Sequence, residues 1–331
     1  MTTLATLPDP ATPLSHESAA AAFADILDGV ASEEAVEFFL IGLSERGETS
    51  VEIAEAARAL RSRMISVAAP ANAIDVCGTG GDGHHTLNVS TAVAIVVAAA
   101  GVPVAKHGNR AASSKAGAAD TLEALGLDLD RAGRQAEETL NAIGIGFLFA
   151  ANHHPAMARI TPIRRRIGRR TIFNLMGPLA NPARVRRQLL GIARPDYAPL
   201  YAEALTHLGT DAAMVVSGEE GLDELSGAGF SVVVPVGCLD VSSRIAPEDA
   251  GLPRHPVSAI RGGDAPENAA RLRALLDGQH DAYRDAVLLN AAAALLVADV
   301  APDLREGVAI AARAIDSGAA RDLLARWITW S

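Results

Sequence analysis

The 331-residue chain reads as an α/β protein, with a mostly parallel central sheet flanked by helices and a small all-helical domain in front. Three observations predict this. Between residues 18 and 67 apolar side chains recur at three- and four-residue spacing: Phe23, Ile26 and Leu27, then Val36, Phe39 and Leu40, with breaks at Gly29 and Gly47. After Pro70 short apolar strands alternate with helical stretches, the grammar of a parallel sheet. Finally, 49% hydrophobic residues with 29 Gly and 17 Pro mark a globular chain long enough for about two domains. The expected division is a helical domain over 1–68 and an α/β domain over 69–331.

Taken in order, residues 2–13 read as a loose tail, because no positive region followed by an apolar run marks a signal peptide. A strand is expected at 74–77, a loop at 78–87, and a helix at 90–100 ended by Gly101. A second strand at 102–106 leads into another loop and a helix near 121–125. Further strands are expected at 187–192, 212–217 and 231–235, with helices from Glu267 onward. Ligands of a parallel sheet collect at the carboxyl ends of its strands, and the loops after the first two strands both lie there. If those strands are neighbours, the loops stand side by side. Residues 89–105 and 286–301 are apolar runs approaching membrane-spanning length. However, Gly101-Val102-Pro103 breaks the first and Asn290 and Asp299 interrupt the second, so burial is expected.

A net charge of −10 repels nucleic-acid backbones and acidic membrane surfaces as a whole, so any anion binds locally. Cys77 and Cys238 are too few and too far apart for a disulfide framework or a thiolate metal site, which fits a reducing cytoplasm.

The sharpest clue is lysine. Against 27 arginines the chain has only two, Lys106 and Lys115, both within the stretch Lys106-His107-Gly108-Asn109-Arg110-Ala111-Ala112-Ser113-Ser114-Lys115. A compact ammonium kept where arginine serves elsewhere suits a phosphate bound as a point charge. Upstream, Gly78-Thr79-Gly80-Gly81-Asp82-Gly83 joins strand to helix, and Asn88-Val89-Ser90-Thr91 supplies caps at the helix start. Bare amides and a positive helix end make an anion site. Gly262-Gly263-Asp264 has no following hydroxyl caps and reads as a plain turn. The adjacent acids Asp223-Glu224 are a solvated pair in isolation. Beside a phosphate site they become natural ligands for magnesium, which completes its shell with water and phosphate oxygens. Nine arginines lie between Arg159 and Arg187. Helical spacing puts Arg159, Arg166 and Arg170 on a different face from Arg164. His153-His154 lacks a third metal ligand and suits a substrate wall or a helix cap.

Together, Gly78-Thr79-Gly80-Gly81-Asp82, Asn88-Val89-Ser90-Thr91, Lys106-His107-Gly108-Asn109-Arg110 and Asp223-Glu224 resemble the anthranilate phosphoribosyltransferase family. Arg46-Gly47-Glu48-Thr49, the segment 152–157 and the segment 170–179 look like further signatures of it. The resemblance runs from about residue 20 to the C-terminus. It implies Mg²⁺-dependent transfer of phosphoribose from phosphoribosyl pyrophosphate (PRPP) to the amine of anthranilate, releasing pyrophosphate, the second step of tryptophan synthesis from chorismate. By the same resemblance the donor is held by Gly78, Gly81, Asp82, Thr86, Asn88, Val89, Ser90, Thr91 and Lys106. To these are added His107, Gly108, Asn109, Arg110, Ala111, Ala112, Ser113, Ser114 and Ala118. Anthranilate meets Gly78, His107, Asn109, His154 and Arg164, with Arg164 facing its carboxylate. Ser90, Asp223 and Glu224 position the metal, and Lys106, Asp223, Glu224 and Arg164 carry catalysis. A cytoplasmic homodimer formed through the helical domain is also implied, with a second helical segment near 155–180 returning to that domain.

The chemistry is compatible with this. Breaking the ribose–pyrophosphate bond leaves positive charge on the sugar and negative charge on the leaving group, so cations and amides around pyrophosphate favour a dissociative displacement. A neutral aromatic amine needs orientation more than a strong base. The chain departs from the family at His84-His85, at Ala118 and at Ser226-Gly227-Ala228-Gly229, which bears on donor affinity and loop closure. Two rivals stay open. A pyrimidine nucleoside phosphorylase would use inorganic phosphate and have no need of Asp223-Glu224 as metal ligands. A catalytically silent relative would bind nucleic acid, against which the net charge argues.

Overall fold

The computed structural model describes residues 5–111 and 115–330. Three helices come first: α1 (His16–Asp28), α2 (Glu33–Arg46) and α3 (Ser50–Arg61). Ser15 and Ser32 cap the first two, each side chain accepting a backbone N–H of the first turn. A reciprocal Thr49–Glu52 capping box starts the third. Glu52 is fully buried, and its other oxygen accepts from Leu14 N at 3.0 Å. Ala5 N donates to Val30 O at 3.0 Å, and Leu14 is 8% exposed. The segment 5–14 is therefore docked onto the helices, correcting the expectation of a loose tail. The reason is a long-range carboxylate partner that no local pattern reveals.

The α/β part runs β1 (Ile74–Gly78), α4 (Val89–Ala99), β2 (Val104–Gly108), α5 (Ala118–Ala124), α6 (Leu129–Arg134), α7 (Ala136–Ile143), β3 (Ile145–Phe149), α8 (Ala150–His153) and α9 (Met157–Ile167). It continues with β4 (Arg187–Gly191), α10 (Ala198–His207), β5 (Ala212–Gly218), β6 (Ser231–Gly237) and β7 (Arg244–Ile245). Four helices end it: α11 (Ala265–Leu276), α12 (Ala282–Val297), α13 (Leu304–Asp316) and α14 (Ala319–Thr329). The strands form one sheet in the order β3-β2-β1-β4-β5-β6-β7, parallel through β5 and antiparallel at β6 and β7. β1 lies between β2 and β4, so the two unusual loops are indeed adjacent.

Each sheet face carries a core. On one, α4, α12, α13 and α14 pack over Val76, Val104, Leu189 and Met214. On the other, α1–α3, α9 and α10 pack over Leu190, Ala213 and Val215. The run 89–105 is apolar because α4 is buried from Val89 to Ala98 apart from Ser90, not because it meets lipid. No helix among the described residues is long and apolar enough to cross a membrane.

Three element expectations need correction. β3 and the short β7 were not anticipated, since 145–149 follows a helix after a single left-handed Gly144 and reads equally as helix. β2 runs from Val104 to Gly108, starting and ending two residues later than expected, which moves His107 and Gly108 from the loop into the strand. Asp264 is no plain turn residue: its side chain caps α11, accepting from Glu267 N at 3.0 Å.

Candidate active site

The site is built where β1 and β4 end together, with Gly78 paired to Gly191. A Cβ on Gly78 would sit 2.3 Å from Asp223 Oδ2, and one on Gly191 only 1.6 Å from Asp223 O. Both strands therefore end in glycine because the segment bearing Asp223 and Glu224 crosses directly over them. Gly191→Ala is expected to lower unfolding free energy by about 2–3 kcal/mol through this overlap. Urea melts at constant m would show it.

Four polar groups converge here. Asp223 Oδ2 accepts from Gly80 N at 2.6 Å, and Glu224 Oε1 accepts from Ser90 N at 3.2 Å at the positive start of α4. Lys106 Nζ donates to Val76 O at 2.8 Å and to Ser90 Oγ at 3.3 Å. Ser90, Asp223 and Glu224 line one small cavity with Val76 and Cys77. Loss of hydration pushes the Asp223 carboxyl up to about 7, aided by Asp82 beside it. The same loss of hydration, with Asp223 as neighbour, holds Glu224 well above the usual carboxylate range. Burial pulls the Lys106 ammonium down, while Asp75, Glu224 and Asp223 oppose that fall. The cluster is thus an acidic pair short of positive charge.

Glu224 Oε2 is buried with no hydrogen-bond partner. An orphaned carboxylate oxygen beside a second carboxylate and a hydroxyl is a donor set for a hard, oxygen-seeking cation, so the residues fit magnesium. Among the described residues, no group of three or more His, Cys, Asp or Glu could hold a metal unaided. Two carboxylates and Ser90 leave most of the shell to water and phosphate oxygens, as magnesium prefers.

The glycine loop is open. Gly80, Gly81 and Gly83 take left-handed φ of 67°, 76° and 78°, with nothing within 4 Å of a built Cβ. Its far end is fastened by Gly262 N to His85 O (2.8 Å), by the Thr86–Arg261 bridge and by Leu87 N to Ile260 O (2.8 Å). The segment before α11 thus shapes this loop. His85 itself is left-handed (φ 54°), and His84 donates to Glu220 O at 3.1 Å. Asn88 stands at the N-cap of α4, but its side chain makes no capping bond, contrary to expectation. It accepts instead from Thr121 Oγ1 and Asn268 Nδ2 and donates to Ala116 O, stitching three elements together. Glu224 does the capping in its place.

On the opposite face of the sheet, His107 Nδ1 donates to Gly177 O at 2.9 Å, and His154 Nε2 lies 3.3 Å from His107 Nε2. Burial holds both imidazoles neutral, down to about 3 for His107 and about 4 for His154. His153 turns away, its Nδ1 donating to Ile65 O. Arg164 Nε is buried without a partner. Three nearby arginines are engaged elsewhere: Arg159 on Asp28 O, Arg166 on Glu33 and Glu37, Arg169 on Glu45. Arg170 lies beyond the helix, which stops at Gly168, and its guanidinium stands over Tyr197.

The remaining expected site residues differ in what they offer. Val89 is buried in the core, so only its backbone faces the loop. Thr91 Oγ1 is buried without a partner. Asn109 and Arg110 are exposed, and the Arg110 guanidinium is held by Asp120 and Glu123. Ala111 N is taken by Asp120, and Ala118 opens α5 against Gly108. Ala112, Ser113 and Ser114 lie outside the described residues. Sequence reasoning missed Asp75, which is fully buried and accepts from His107 N and Asn181 Nδ2. The signal was present, an acid inside the apolar strand Ile74-Asp75-Val76-Cys77.

Residues 70–321 match the model of the glycosyl transferase family, a/b domain, and residues 8–64 that of its helical bundle domain. The anthranilate phosphoribosyltransferase of Novosphingobium aromaticivorans is 68% identical over 97% of this chain and 98% of its own length. The chain belongs to the anthranilate phosphoribosyltransferase family. Among solved structures of that family, the Thermus thermophilus enzyme superposes with a TM-score of 0.92 at 43% identity, covering 97% of this chain and 96% of the other. The Saccharomyces cerevisiae enzyme in complex with PRPP and Mg superposes with a TM-score of 0.87 at 30% identity, covering 95% and 93%.

Proposed function

We infer that this protein transfers phosphoribose from PRPP to the amine of anthranilate, giving N-(5-phosphoribosyl)anthranilate and pyrophosphate, with Mg²⁺ as cofactor. The observation that carries the residue assignment is the convergence of Lys106, Ser90, Asp223 and Glu224 at the ends of β1, β2 and β4. The yeast relative's complex with PRPP and Mg supports the donor and the metal. Ser90, Asp223 and Glu224 would hold Mg²⁺. When bound, the ion supplies neutralising charge to the diphosphate that leaves.

The chain's own groups do the rest. The amides of the open loop 78–83 and the start of α4 receive phosphate oxygens, and Lys106 adds a point charge from below. Asp82, Thr86, Asn88 and the loop that begins at Asn109 complete the donor side. On the acceptor side Arg164, with an unpartnered nitrogen, faces the anthranilate carboxylate. His107 and His154, both neutral, form a wall that positions the amine without competing for that carboxylate. The helical unit over 1–68, joined by 155–180 and set against a catalytic domain over 69–331, belongs to the same reading, as does a cytoplasmic homodimer. Supporting the last are Phe38, 69% exposed on α2, and two free cysteines.

Incubating the protein with PRPP, Mg²⁺ and anthranilate and following anthranilate fluorescence tests the assignment. Absence of signal loss from folded protein, or phosphorolysis of a pyrimidine nucleoside instead, would overturn it. Arg164→Ala is expected to raise the KM for anthranilate about 10- to 100-fold, the worth of a charge-assisted bond, while sparing the KM for PRPP. Equal damage to both substrates would count against the carboxylate role.

A further inference from the structure

The loop after Lys106 leaves β2 at Gly108 and rejoins the fold at Ala118. Its ends touch. A Cβ on Gly117 would lie 2.5 Å from Ala111 N and 2.7 Å from Asn109 O, so only glycine lets the returning chain pass the outgoing one. Ala119 N then donates to Asn109 O at 3.2 Å. At this crossing Asp120 Oδ2 accepts from Ala111 N and from Gly117 N, each at 2.9 Å, while its Oδ1 accepts from Arg110 Nη1 at 2.9 Å. Among the described residues, the nearby Glu123 touches the Arg110 guanidinium through both its oxygens and no amide of the loop.

We propose that Asp120 is a positioning residue for the phosphoribosyl donor: one carboxylate clasps the entering and leaving ends of the Asn109–Gly117 loop and sets its base beside Lys106. This rests on the donor reading given above. Two N–H groups donating to one carboxylate are charge-assisted bonds, stronger than neutral ones. By fixing the loop's base before the donor arrives, they remove an ordering cost that binding would otherwise carry. Among the described residues Asp120 bonds none of His107, His154 and Arg164, and of the expected acceptor contacts only Asn109 stands in the clasped loop, so anthranilate should feel its loss far less than PRPP.

The experiment measures PRPP dissociation constants by calorimetry in the presence of Mg²⁺, beside steady-state kinetics for both substrates. Asp120→Ala is expected to weaken PRPP binding about tenfold, the loss of one net charge-assisted bond, with kcat at saturation unchanged and the KM for anthranilate changed much less. Asp120→Asn, whose amide oxygen still accepts, should restore part of that loss and guards against misfolding of the alanine variant. Glu123→Gln should bind PRPP as the unaltered protein does. Unchanged PRPP affinity in Asp120→Ala would overturn the clasp. So would equal losses for both substrates, or a change confined to thermal stability, which would reduce Asp120 to the start of α5. An unaltered protein that binds PRPP yet leaves anthranilate unconsumed would sink the transfer reading alone, since the binding constants judge the clasp without turnover.

Discussion

Lys106→Met should lower kcat/KM for PRPP by about 10³-fold, roughly 4 kcal/mol, the scale of one preorganised charge removed from a leaving group. Methionine matches the length and apolar stem of lysine, so packing between β1 and α4 survives while the ammonium goes. Lys106→Arg should not rescue. The ammonium is 2% exposed and meets Val76 O and Ser90 Oγ as a point, and a planar fork has neither the room nor the geometry to do so. Initial rates at varied PRPP, with anthranilate saturating, give the number. A variant that keeps its donor KM and turnover would remove Lys106 from the chemistry. The effect should be selective, because His107, the next residue, points to the other face of the strand and contacts Gly177 and His154.

That alternation explains what the sequence disclosed and what it withheld. Lys106 and His107 are adjacent in the chain, but strand geometry sends them to opposite faces, one towards Ser90 of α4 and the proposed donor side, the other towards Gly177 and the proposed acceptor side. Motif strings show both residues and hide the division. The glycine loop, the lysine stretch and the acidic pair were legible because each breaks a composition rule locally. Arg164 was separable from Arg159 and Arg166 by helical spacing, and those two are indeed paired elsewhere. Asp75 showed only as an acid inside an apolar strand, and its partners, like those of Asp120 and the docking of residues 5–14, were not legible. Each depends on a carboxylate meeting backbone amides brought near by tertiary structure, such as Glu52 with Leu14 across 38 residues. Asn88 was misjudged for the same reason. A good capping residue found better partners in Thr121 and Asn268, and Glu224 took its place at the helix start.

Replacing the acidic pair, Asp223→Asn with Glu224→Gln, should abolish Mg²⁺-dependent transfer and at the same time stabilise the metal-free protein at neutral pH. Both carboxyls sit above their unfolded values, Asp223 at about 7, so this pair binds more protons in the folded state than in the unfolded chain across this range. Stability from such groups is fully present below the unfolded value near 4 and is lost as pH rises through the folded one. The buried neutral His107 and His154 act in the opposite sense over this range, so the pair is read from the difference: metal-free protein should lose stability relative to the double variant between about pH 4 and pH 7. Asp223 and Glu224 are only part-buried, so solvent screening reduces the effect to about 1–2 kcal/mol at pH 8. Thermal melts in chelator from pH 5 to pH 8 would show the melting temperature of the unaltered protein falling relative to that of the variant as pH rises. Adding Mg²⁺ with PRPP should raise the melting temperature of the first and leave the second unchanged, because a ligand stabilises only the fold that binds it. A difference between the two profiles that does not change with pH would mean that the pair is already compensated without a metal. Retained Mg²⁺ dependence in the variant would put the ion elsewhere. The two measurements together separate an acidic pair kept for the cation from one kept for the fold: the first costs stability when the ion is gone, whereas the second would lose stability on replacement.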